Sequence, residues 1–147
     1  MAKCKKEFGK KFIKKVGAMF MVSLTVMSAI PVFAATNYSW SGNATTPGST
    51  MRTARKTKTT DSSVIVNYSD GSSDYMAVTV DAYVSGSWKD CTYYTDANPI
   101  YVAYEGSSNY IAVLNLAYEN YGQCSVAAKF TATAAGAHSG KWRPDYQ

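Results

Sequence analysis

The chain has 147 residues with a formal net charge of +5, yet seven of its fifteen Lys and Arg lie in Met1 to Gly17 against a single acid, Glu7. Residues 35–147 hold eight Lys and Arg and nine Asp and Glu, a net charge of −1. The basic character belongs to the leader, so it gives no support to nucleic-acid binding.

The lysine-rich segment runs into an apolar stretch from Ala18 to Ala34 that ends Pro31-Val32-Phe33-Ala34-Ala35. A charged start, a short apolar stretch and small residues before a cleavage point are the marks of a secretory signal peptide. Residues 1–34 are therefore expected to form a signal helix cut between Ala34 and Ala35. A permanent anchor needs about 20 apolar residues, and this stretch contains Ser23, Thr25, Ser28 and Pro31. The expected product is secreted, with the membrane met only during export. The lysine-rich leader has a bacterial look, and the C-terminal residues contain neither a hydrophobic stretch nor a sorting motif.

Residues 35–49 are rich in Gly, Asn, Ser and Thr with one Trp, Trp40, and read as an extended arm. Short alternating segments then recur at the spacing of an all-β domain, here assigned to residues 50–134. They are Thr50 to Lys58, Ser63 to Tyr68, Tyr75 to Val84, Trp88 to Tyr94, Ile100 to Tyr104, Tyr110 to Tyr118 and Gln123 to Thr133. Asp70-Gly71, Ser85-Gly86-Ser87 and Glu119-Asn120-Tyr121-Gly122 read as turns between them. In Tyr75 to Val84, the residues Met76, Val78, Val80, Ala82 and Val84 fall on one face and form the expected core side. In Gln123 to Thr133, Cys124, Val126, Ala128, Phe130 and Ala132 do the same. The expectation is an antiparallel β-sandwich of about seven strands, followed by a tail over residues 135–147.

Cys91 and Cys124 remain once Cys4 is removed with the leader, and export to an oxidising space points to a disulfide between them, with two buried thiols as the alternative. A histidine-based triad finds only His138 in residues 35–147, flanked by Gly136 and Gly140 in the expected tail, where the rigid orientation that catalysis needs is missing. One histidine and two separated cysteines offer no zinc-site spacing, so no metal or other cofactor is expected. A glycosidase needs two positioned carboxylates, and nothing selects a pair among Asp81, Asp90, Glu105 and Glu119. The chain is read as a non-enzyme.

Binding is the remaining class. Tyr75, Tyr83 and Tyr101 fall opposite the aliphatic faces of their strands, where aromatic rings give a platform for sugar or protein contact. The run Arg52, Arg55, Lys56 and Lys58 either draws the protein to anionic cell-wall polymer or lipid headgroups, or protects an edge strand from pairing. Trp142 either docks on the core or is displayed for recognition. The candidate binding residues are thus Tyr75, Tyr83, Tyr101, Arg52, Lys56, Lys58 and Trp142, with cell-wall polymer, polysaccharide or another protein as partner.

The lysine-rich leader, the segment Arg52 to Thr60, Glu119-Asn120-Tyr121-Gly122 and the terminal Ser139-Gly140-Lys141-Trp142-Arg143-Pro144-Asp145 together resemble a group of small secreted proteins of unknown function from Gram-positive bacteria. A weaker similarity is to lactococcin-like bacteriocins, which are small, exported, Tyr-rich β-sandwiches. That second resemblance implies antibacterial activity as the alternative function.

Overall fold

A computed structural model describes residues 36–106 and 108–146. The expected signal peptide and the Ala34–Ala35 junction lie outside the described residues. The described chain is all-β, with ten strands in two antiparallel sheets packed face to face and one short helix, α1 (Ala117–Tyr121).

The first sheet has the order β1-β10-β4-β8, built from β1 (Tyr38–Ala44), β10 (Gly136–Arg143), β4 (Val64–Gly71) and β8 (Tyr110–Val113). The second is centred on β9 (Cys124–Ala132) and β5 (Tyr75–Val84). Beyond β9 lie β2 (Thr50–Arg52) and β3 (Lys56–Lys58), and beyond β5 lie β6 (Ser87–Asp90) and β7 (Tyr101–Tyr104). Alternation decides which side chains meet between the sheets. Met76, Val78, Val80 and Ala82 of β5 face Val126, Ala128, Phe130 and Ala132 across the register of β9, and all eight are buried. Val64, Val66, Tyr68 and Trp142 supply the opposing layer.

Ten strands replace the expected seven for three local reasons. Residues 38–44 are not an arm: β1 pairs with β10 along its whole length, and Trp40 and Ala44 point into the core. Residues 136–143 are not a tail either, because β10 lies between β1 and β4 in the middle of the first sheet. The expected strand Thr50 to Lys58 is interrupted at Thr53. The Thr53 backbone N–H donates to Ala128 O at 3.0 Å, while its Oγ1 accepts the Ala128 N–H at 3.1 Å. Thr53 therefore completes the ladder with a side chain, and the segment divides into β2 and β3.

Of the expected turns, one forms as read and two do not. Ser85 and Gly86 both take positive φ, 49° and 81°, as a two-residue hairpin demands. Asp70-Gly71 is no tight turn, since β4 continues to Gly71. The last expected hairpin is helical: Glu119 to Tyr121 belong to α1, whose first residue, Ala117, donates its N–H to Asn115 Oδ1 at 3.3 Å.

Candidate binding face

The outward face of the second sheet is set by the same alternation that builds the core. Tyr75, Ala77, Thr79, Asp81 and Tyr83 of β5 point away from the first sheet. Thr131 of β9 stands opposite Ala77, Lys129 opposite Thr79 and Ser125 opposite Tyr83. Arg52 of β2 is opposite Lys129, completing a row of long cationic side chains. On the other side, the Ser85-Gly86 hairpin sets Trp88 opposite Tyr83 and Asp90 opposite Asp81.

Asp81 organises the charges. Its side chain is only 2% exposed although it lies on the outer face, because long neighbours cover it. Arg52 Nε donates to Oδ2 at 2.7 Å, and Lys129 Nζ stands 3.7 Å from Oδ1. Among the described residues, Asp81 Oδ1 has no hydrogen-bond partner, nor does the neighbouring Thr79 Oγ1. A carboxylate so enclosed has to be neutralised by adjacent cations, and it holds Arg52 and Lys129 side by side.

The rings occupy the next step of the face. The guanidinium of Arg52 lies 5.1 Å from the Trp88 ring centroid, and that of Arg55 lies 4.3 Å from Tyr83. Tyr83 and Trp88 meet edge to face at 5.1 Å and 65°. Both guanidinium groups are thus held by an aromatic quadrupole, and that of Arg52 by the charge of Asp81 as well. At the far end of β5, Tyr75 packs against Tyr104 at 5.9 Å, and both rings are exposed. The small side chains of Ala77 and Thr79 lie between. From Tyr75 to Tyr83 the face extends about 26 Å at the usual strand rise.

Of the residues nominated from sequence, Tyr75, Tyr83 and Arg52 converge on this face. Four do not. Tyr101 is opposite Val78 in register, so it takes the core side and is buried, its hydroxyl donating to Tyr93 O at 2.9 Å. Ile100 and Tyr104 are exposed instead, reversing the expected polarity of β7. Lys56 and Lys58 stand opposite Val126 and Cys124, both on the inward face of β9. The run of basic residues is therefore split: Lys56 lies 4.2 Å from the Tyr38 ring, and Lys58 is fully buried. Trp142 has no exposed surface and docks on the core against Tyr38.

Arg55, Trp88, Lys129, Tyr104 and Asp81 belong to the face without being among the candidates from sequence. A signal for Trp88 was present, since a two-residue loop at Ser85-Gly86 forces Tyr83 opposite Trp88. Lys129 required the pairing of β9 with β5, which joins segments far apart in the chain.

The expected disulfide is absent, and both thiols are free. Cys91 Sγ donates to Lys89 O at 3.4 Å and Cys124 Sγ to Ala117 O at 3.6 Å, so each thiol has its own carbonyl partner. Burial pushes both thiols above their usual range, against thiolate chemistry. His138 is no mobile loop residue. It is buried in β10, with Nδ1 3.1 Å from the Tyr68 hydroxyl and Nε2 3.3 Å from Ala134 O. Tyr68 in turn accepts the Ser73 N–H at 3.1 Å. Among the described residues, no three His, Cys, Asp or Glu gather as a metal site.

The outside of the first sheet carries a shallow groove of about 410 Å³, lined by Ser39, Ser41, Ser69, Ser139 and Lys141 among others. No family model, curated protein or solved structure matches the chain.

Proposed function

We propose that this chain is an exported, non-enzymatic β-domain that binds an anionic polysaccharide of the cell envelope through the outer face of its second sheet. The observation that carries the reading is the grouping of Arg52, Arg55 and Lys129 with Trp88 and Tyr83 around one enclosed carboxylate, Asp81. Three cations against the two carboxylates of Asp81 and Asp90 leave that grouping positive by one charge. The rings supply flat apolar area for a sugar face, and the guanidinium groups supply donors for carboxylate or phosphate oxygens. An extended, open face suits a polymer better than a small molecule, which needs a concave site. The non-enzymatic part of the reading is supported by the commitment of three side chains a hydrolase could use, Asp81, Asp90 and His138. Arg52 and Lys129 occupy Asp81, Asp90 accepts from the Thr92 N–H and hydroxyl, and His138 is enclosed by Tyr68 and Ala134.

Co-sedimentation of the protein with purified cell-wall polysaccharide tests the reading. Trp88→Ala and Arg55→Ala leave the Asp81 ion pair intact, and each is expected to weaken binding about tenfold, the effect of roughly 1.4 kcal/mol. Binding should also fall as salt rises. Wild-type binding by both variants would reject this face, and growth inhibition of a neighbouring strain without polymer binding would favour the bacteriocin-like function. Export is tested separately, by N-terminal sequencing of protein recovered from the medium, which should begin at Ala35.

A further inference from the structure

Lys58 and Asp145 meet between the two sheets, where β3 approaches the segment that follows β10. The Lys58 side chain has no exposed surface. Its Nζ donates to Ser62 O, to Pro144 O at 2.9 Å and to Asp145 Oδ1 at 3.2 Å. The carboxylate is surrounded in turn by threonine donors. Oδ2 accepts the Thr59 N–H at 3.1 Å and the Thr59 hydroxyl at 3.0 Å, while Oδ1 accepts the Thr60 N–H at 3.2 Å and the Thr60 hydroxyl at 2.8 Å.

We propose that Lys58 and Asp145 condense into an intramolecular amide, Nζ to Cγ, that ties β3 to the C-terminal segment. This is a maturation of the domain itself and is independent of what the outer face binds. A well-aligned amine and carboxyl group reach effective concentrations of up to roughly 10⁵ to 10⁸ M, and enclosure removes the bulk water that opposes condensation. Burial pushes the Lys58 amine down, against the pull of Asp145, Glu119 and Cys124, which eases loss of its first proton.

The atoms balance without any co-reactant. Nζ passes one proton to Asp145 Oδ1, giving a neutral amine and a neutral carboxyl. The two remaining N–H groups are held by Ser62 O and Pro144 O, which leaves the nitrogen lone pair on the Asp145 side. The Nζ–Cγ bond forms as the carbonyl pair moves onto Oδ2, where the Thr59 N–H and hydroxyl hold the oxyanion. Nζ then gives a second proton to Oδ1, the Cγ–Oδ1 bond breaks and water leaves. Nothing is oxidised or reduced. The threonine donors that favour the ground-state carboxylate slow the first proton transfer, so the reaction is a slow, once-only event in the folded chain rather than a turnover.

Intact-mass measurement tests it on protein purified after expression of the full-length chain, with tandem mass spectrometry of its tryptic digest. The expected result is a mass one water below that of the observed sequence, with a branched peptide joining the fragments that contain Lys58 and Asp145. Lys58→Arg keeps the cation and the ion pair but cannot form this amide, so it should fold and show the full mass. Asp145→Ala should also show the full mass. Unmodified mass in the folded wild-type protein overturns the proposal. So does a water loss that maps to Asp70-Gly71, where aspartyl cyclisation gives the same mass change, or one that persists in Lys58→Arg.

Discussion

Trp40 stacks on Phe130 with ring centroids 4.0 Å apart and planes 21° apart, and its Nε1 donates to Asn67 O at 3.2 Å. One side chain from β1 therefore contacts the centre of the opposite sheet while tying itself to β4. Removing it deletes a large apolar body and leaves a buried carbonyl without its donor. Trp40→Ala is expected to cost about 3 to 5 kcal/mol, read as a lowered urea midpoint at unchanged slope. An extended arm would predict almost no change at this position, because an exposed side chain has little burial to lose. Composition concealed the role, since a single ring among Asn, Ser and Gly gives no run of apolar residues. The ring itself is the only local sign in the sequence that residues 38–44 form a strand.

At the level of the element, legibility depended on whether glycine was counted as an inward residue. β5 and β9 alternate between aliphatic and polar side chains, and their core faces were readable without knowing their partners. β1 and β10 alternate just as regularly, but their inward positions are Trp40, Gly42 and Ala44 in one and Gly136, His138, Gly140 and Trp142 in the other. Small and large side chains interleave there because the neighbours leave no room. A Cβ on Gly42 would lie 2.6 Å from Met51 Sδ, and one on Gly140 would lie 2.0 Å from Asn67 O and 2.7 Å from Trp40 Nε1. Gly140 also sits at the register shift between β10 and β4, where the backbones approach closely. Gly140→Ala must move backbone rather than a flexible side chain, so it should cost about 3 kcal/mol and lower the thermal midpoint. A midpoint unchanged from wild type would mean that β10 does not run between β1 and β4 in this register. The basic run shows the same limit from the other direction. Charge alone placed Arg52, Arg55, Lys56 and Lys58 together, whereas the break at Thr53 and the pairing of β3 with β9 send the last two inward. The outer face was therefore half legible: Tyr75, Tyr83 and Arg52 follow from alternation, while Lys129 depends on a long-range pairing.

Across the whole molecule, Lys58 and Asp145 join the two sheets near the ends of the described domain, and the state of that junction sets how stability responds to acid. Burial pushes the Asp145 carboxyl up, but hydrogen bonds from Thr60 and Thr59 and the charge of Lys58 outweigh it and hold the group below its ordinary range. A carboxyl with a depressed native value binds fewer protons folded than unfolded between the two values. Its contribution is complete above the unfolded value of about 3.9 and disappears as pH falls through the native one. In Lys58→Arg the threonine donors remain, so urea midpoints should hold between about pH 7 and 5 and then fall in acid, with a share due to Asp145. Wild-type protein carrying the amide has no ionisable group at Asp145 and lacks that share. The linked protein also closes a loop from residue 58 to residue 145, which on the chain-entropy model adds about 4 to 5 kcal/mol at any pH. The two curves should thus be offset at neutral pH and diverge further below about pH 4, every other carboxylate being common to both. Superimposable curves would mean that the junction stays an ion pair, with the guanidinium of the Lys58→Arg variant serving Asp145 as well as the native ammonium does.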